Sequence, residues 1–136
     1  MTGLTPLVIR LKPGDDLKLA LERLVRESSC SAACIITCVG SLERAVLRLA
    51  GAERTVDLAG PLEIVSLAGT LSPVGCHLHL AVADASGHLR GGHVMEGCRV
   101  LTTAELVIGC LPAISFNRVF DSATGYPELV VERDQG

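Results

Sequence analysis

The chain has 136 residues, of which 49% are apolar and 20% charged, with 12 Lys plus Arg against 15 Asp plus Glu for a net charge of −3. That length fits one domain, read here as residues 1–136, and the composition excludes a disordered chain. With no Trp, one Tyr and two Phe, the core must be aliphatic, and a stacking platform for single-stranded nucleic acid is excluded. The acidic balance, with a pI near 5.8, lacks the basic footprint of an autonomous DNA binder. No apolar run reaches the roughly 18–20 residues of a membrane span. Residues 1–12 carry Arg10 and Lys12 within an apolar run and do not read as a secretion signal. The expectation is a soluble intracellular protein, cytoplasmic first and nuclear second.

Leu7 to Leu11 reads as a first strand, broken by Pro13-Gly14. Asp15 or Asp16 then caps a helix by accepting from the free N–H groups of its first turn. Leu17, Ala20, Leu21, Leu24 and Val25 recur at helical spacing and form one apolar face. After this helix the period changes to strands: 33–39, 45–49, 55–58, 62–71, 76–83, 88–96, 100–109 and 126–132. Gly and Pro punctuate nearly every gap, as turns require. One helix followed by sequential short strands predicts an α+β domain with a mostly antiparallel sheet.

Six cysteines stand at 30, 34, 38, 76, 98 and 110. They sit in apolar runs without Cys-x-x-Cys spacing, so buried reduced thiols are expected.

All four histidines fall within residues 77–93. His77 and His79 are two apart, which on a strand puts both rings on one face, roughly 6.5–7 Å apart along the backbone. Asp84-Ala-Ser-Gly-His88 has the form of a three-residue hairpin loop with Gly87 in the left-handed position. That loop sets 83 against 89, 81 against 91 and 79 against 93. His93 then joins His77 and His79 on one face, and His88 lies on the other. A loop of two or four residues would shift the register by one and remove His93. Three imidazoles on one face suit a first-row divalent metal, zinc foremost, with a position open for water or a ligand oxygen. Gly91 and Gly92 would let another group approach. The competing account is that His77 and His79 are polar residues on a solvated strand face.

Two carboxylates interrupt apolar runs: Glu63 in Leu62-Glu-Ile-Val and Glu105 in Ala104-Glu-Leu-Val. Each is either a general-base candidate near a metal or a residue on the solvent face of its strand. Arg118 is a candidate partner for one of them, or for an anion. No phosphate-binding Gly-Lys-Ser/Thr loop and no Gly-x-Ser-x-Gly elbow occurs.

These residues together resemble the plant and prokaryote conserved domain, called PPC or PCC. The carriers are Gly40-Ser41, Pro61-Leu-Glu-Ile-Val-Ser-Leu-Ala-Gly-Thr-Leu71, His77-Leu-His79 with Asp84 and Gly87, and Gly91-Gly-His93. Gly97-Cys-Arg-Val100, Thr102-Thr-Ala-Glu-Leu106, Phe116-Asn-Arg118, Asp121 and Thr124-Gly-Tyr-Pro-Glu-Leu129 extend the likeness over most of the chain. The resemblance implies a strongly bent antiparallel sheet with one packed helix, and a homotrimer. It implies a metal held at His77, His79 and His93, as in stand-alone members. The fold is similar to that of acetolactate decarboxylase and a zinc-dependent ester hydrolase, an analogy of fold alone. Plant members carry an AT-hook; this chain has no Arg-Gly-Arg-Pro and follows the stand-alone type, so DNA binding is not implied. The functions in order are a trimeric metal-binding protein, a metal-dependent enzyme on a small carboxylate or ester using Glu63, Glu105 or Arg118, and a DNA-associated or protein-interaction module.

Overall fold

A computed structural model describes residues 3–135. Eight strands and one helix follow in the order β1 (Thr5–Leu11), α1 (Leu17–Glu27), β2 (Ala33–Arg48), β3 (Thr55–Ser72), β4 (Gly75–Ala83), β5 (Leu89–Val94), β6 (Arg99–Cys110), β7 (Ile114–Asp121) and β8 (Tyr126–Arg133). Six strands form one antiparallel sheet ordered β1-β6-β2-β3-β4-β5, and β7 pairs with β8 in a separate hairpin. The α+β expectation holds.

The helix forms as its sequence dictates. Asp16 is the N-cap: its Oδ1 accepts from the Leu19 N–H at 3.0 Å, and its Oδ2 accepts from the Gly97 N–H at 2.7 Å. Asp15 instead caps the preceding turn, accepting from the Lys12 N–H at 2.8 Å. Leu17, Leu21 and Val25 are fully buried against the sheet. The core they enter consists of Leu, Ile, Val, Ala and Cys, with no aromatic ring among the buried residues. All three aromatics lie on or beside the β7-β8 hairpin, Phe116 and Phe120 on β7 and Tyr126 opening β8.

Two pairs of expected strands are single long strands. Residues 33–39 and 45–49 belong to β2, and 55–58 and 62–71 belong to β3. The Gly and Pro signals between them mark irregularities in the ladder rather than breaks. The β2-β3 register shifts between Leu42 and Arg44, and Gly60 and Pro61 fall in that gap without Cα partners. A proline there takes no bond out of the ladder. A bulge also bends the strand. β7 was not expected as a strand; its Ser, Asn and Arg hide the alternation.

Bending brings one edge of the sheet back onto an inner strand. β5, at one edge, pairs with the end of β2 as well as with β4: Leu47 opposes Val94 and Arg48 opposes His93. This approach requires a glycine. A Cβ on Gly92 would stand 2.7 Å from the Arg48 carbonyl oxygen and 3.2 Å from Leu47 Cβ. Alanine at Gly92 is expected to force the strands apart at a cost of about 1–3 kcal/mol, read as a lower urea midpoint.

The β4-β5 loop has the expected three residues. The Asp84 N–H donates to the His88 carbonyl at 3.0 Å, and the Gly87 N–H donates to the Asp84 carbonyl at 2.9 Å. Gly87 has φ 81°, the left-handed conformation glycine adopts without strain. Asp84 Oδ1 accepts from the backbone N–H groups of His88 and Ser86, both at 2.9 Å. These donors, His88 first, hold the Asp84 carboxyl below the usual carboxylate value. A carboxyl lowered by folding stabilises the native state above the unfolded-state value, and that contribution is lost as pH falls through the folded value. The stability difference between wild type and D84A should therefore be full at neutral pH and close in acid, measured by denaturant titration at each pH.

The cysteine expectation is overturned at one pair. Cys30 and Cys110 form a disulfide, with Cα atoms 5.9 Å apart across a sequence separation of 80. Their proximity is a product of topology: Ala33 on β2 opposes Cys110 on β6, and the Leu111 N–H donates to the Ala32 carbonyl at 2.8 Å. Cys34, Cys38, Cys76 and Cys98 are free thiols. Burial, then Glu105, pushes the Cys38 thiol up to about 11. A crosslink closing so long a loop restricts the unfolded chain by about 2–4 kcal/mol. Reduction should lower the thermal midpoint by several degrees in differential scanning calorimetry.

Candidate metal centre

β4 alternates buried and exposed residues, with Leu78, Leu80 and Val82 buried and His77 and His79 on the opposite face. The three-residue loop sets His79 directly against His93. His88 stays in the loop, where its ring lies 3.7 Å from Asp84 Oδ2. His77, His79 and His93 meet, with one ring nitrogen of each within 4.8 Å of the others. Their ring centroids are 5.0 Å apart for 77–79, 5.2 Å for 77–93 and 5.7 Å for 79–93.

The donor set fits a borderline-soft divalent ion. Burial, followed by His79 and Arg118, lowers the His77 pKa, and burial followed by Arg48 lowers that of His93. Both effects favour the neutral imidazole, the form that ligates. Ring nitrogens this close, without a hydrogen bond joining the rings, can turn toward one centre.

Two cavities flank the cluster. One, of about 560 Å³, is walled by His77 and His93 on the sheet, Arg48 at the end of β2, and Arg118, Tyr126 and Glu128 on the β7-β8 hairpin. The other, of about 440 Å³, touches all three histidines and the Gly91-Gly92 backbone. Arg118 Nη2 donates to Thr70 Oγ1 at 3.3 Å, and Thr70 opposes His77 across the β3-β4 ladder. The hairpin is thereby tied to the histidine face.

Of the other candidates, Arg118 alone joins the histidines. Glu63 and Glu105 are exposed on the solvent faces of β3 and β6, and neither lines a cavity beside the cluster. Glu105 lies between Arg10 and Val39 in the ladder. Arg48 and Glu128 carry no local signal of a site. Arg48 arrives only through the closure of β2 on β5, and Glu128 only through the fold-back of the hairpin.

The chain is 48% identical over 125 residues to the bifunctional protein GlmU of Synechococcus, and spans about a fifth of that relative's length. A solved structure of a hypothetical protein from Salmonella enterica shares 44% identity with a TM-score of 0.95, covering 99% of this chain and 98% of that one. A metal-containing protein from Archaeoglobus fulgidus shares 28% identity with a TM-score of 0.82, covering 96% and 95%. Two further structures, at 20% and 15% identity, are described provisionally as DNA-binding proteins and share the fold alone. The family model for the Plants and Prokaryotes Conserved domain matches residues 1–112 and stops before the β7-β8 hairpin. The chain belongs to the Plants and Prokaryotes Conserved (PCC) domain family.

Proposed function

We propose that this protein is a homotrimeric metal-binding domain whose His77, His79 and His93 hold one divalent first-row ion, zinc foremost. The observation that carries the reading is the convergence of three imidazole nitrogens within 4.8 Å beside an open cavity. The metal-containing protein of Archaeoglobus fulgidus, alike over nearly its whole length, supports it. Three protein ligands leave a position free for water or a ligand oxygen. When bound, such an ion supplies Lewis acidity, polarising a carbonyl or lowering the pKa of bound water. The chain's own residues do the rest: the three rings set the ligand field, and the Gly91-Gly92 backbone keeps the second cavity clear of side chains.

Association is supported by what the monomer leaves uncovered. Val8, Ile36, Val39 and Val65 stand exposed on β1, β2 and β3 at 51% or more. Apolar strand faces of this kind favour burial against another chain. Closed cyclic symmetry would achieve that without open polymerisation.

A second reading, a metal-dependent hydrolase or decarboxylase-like enzyme acting on a small carboxylate or ester, is favoured by the large cavity that joins the histidines to Arg118. Of the candidate residues Glu63, Glu105 and Arg118, Arg118 is the one that lines this cavity. A DNA-associated role gains nothing from the net charge of −3.

The test is elemental analysis combined with light scattering. Wild type is expected to carry about one ion per chain and to run as a trimer. H79A and H93A should each lose stoichiometric metal while keeping the trimer mass. Retention of full metal content by both variants would overturn the histidine assignment, and a monomer mass for wild type would overturn the trimer.

A further inference from the structure

The large cavity has a charge pattern of its own. Arg48 lies opposite His93 in the β2-β5 ladder, so the two side chains share a face. Arg118 lines the same cavity from the hairpin. Neither guanidinium takes part in an ion pair among the described residues; the pairs found there are Lys18–Glu22, Arg23–Glu27, Arg44–Asp57 and His88–Asp84. One carboxylate, Glu128, lines the same cavity, and it accepts from Thr124 Oγ1 at 3.0 Å. The lining thus sets two guanidinium groups against one carboxylate. Ala52, Val74, Tyr126 and Pro127 give the lining an apolar part, with Cys76 beside it. A volume of about 560 Å³ is within the range of small-molecule sites.

We propose that Arg48 and Arg118 clamp the carboxylate of a small organic acid whose apolar body lies along Val74, Tyr126 and Pro127, beside the three histidines. A guanidinium is the side chain best shaped for this, since its planar fork matches both oxygens of a carboxylate. Two such groups lining one cavity would fix the position of the anion. The apolar wall sets a preference against acids that are all charge. The inference rests on the metal reading for what the ligand's other end meets, and on the chain's own residues for the carboxylate. One of the two arginines, with Tyr126 and Pro127, comes from the hairpin beyond the family-matched segment. The ligand preference is therefore a property of this chain and those that share its hairpin.

The experiment is isothermal titration calorimetry on the zinc-loaded full chain with three probes: benzoate, benzamide and acetate. Benzoate should bind most tightly; benzamide lacks the charge, and acetate lacks the body. R48Q and R118Q should each weaken benzoate by about tenfold, whereas R133Q, an exposed arginine outside the cavity, should not. Metal content measured on the same samples guards against loss of the histidine site, and circular dichroism against misfolding. Equal binding of benzoate and benzamide, or unchanged affinity in both cavity variants, would overturn the proposal. Bound zinc with no heat from benzoate would overturn the clamp and leave the metal reading standing. Charge-selective benzoate binding to protein that takes up no metal would uphold the clamp and sink the metal reading.

Discussion

The contact between β5 and the end of β2 is where this molecule becomes more than a bent sheet. A six-stranded antiparallel ladder left open would keep Arg48 on the inner strand β2, with β3 and β4 between it and His93 on the β5 edge. Closure sets them opposite each other, and it depends on Gly92 having no side chain to meet the Arg48 carbonyl. The long strands β2 and β3 make the closure reachable, because their register shift near Leu42 and Arg44 turns both at the same level. The fully buried Leu47 and Val94 then fill the interior at the seam. Fold and candidate site thus share one constraint: the backbone approach that completes the core also assembles the charged wall.

Much of this was legible in the residues, and the reason is locality. The helix announced itself through Asp16 and the 3.6-residue spacing of Leu17, Leu21 and Val25. The register that brings His93 to His79 followed from a single loop, because Asp84 and Gly87 define its length and a hairpin transmits that length along both strands. The aliphatic core followed from composition alone. What escaped was non-local. No pattern around Arg48 says that β5 will return to it, and none around Cys30 says that Cys110 will lie beside it. Both depend on strand order, which periodicity does not carry. The Gly and Pro residues at 40 and 60–61 misled for a related reason: the same residues that end a strand also bend one.

The two carboxylates illustrate how a chemical argument can outrun the geometry. Glu63 and Glu105 stood out because they interrupt apolar runs, yet both strands alternate, and each residue falls on the outer face. Glu128 entered only as part of the Thr124–Leu129 motif, with no role attached, and it is the carboxylate that reaches the cavity. Proximity to a site follows from which face and which end of an element a residue occupies, and a run of apolar neighbours says little about either.

The distribution of rings has one more consequence. Nothing in the interior absorbs in the near ultraviolet apart from the disulfide, for the core is wholly aliphatic. The chain has no Trp, and its one tyrosine, Tyr126, stands on the cavity wall beside Pro127 and Glu128. The tyrosine emission of this protein is therefore the light of a single ring at the mouth of its candidate site. Whatever enters that cavity does so beside the one tyrosine of a chain that has no tryptophan to mask its emission.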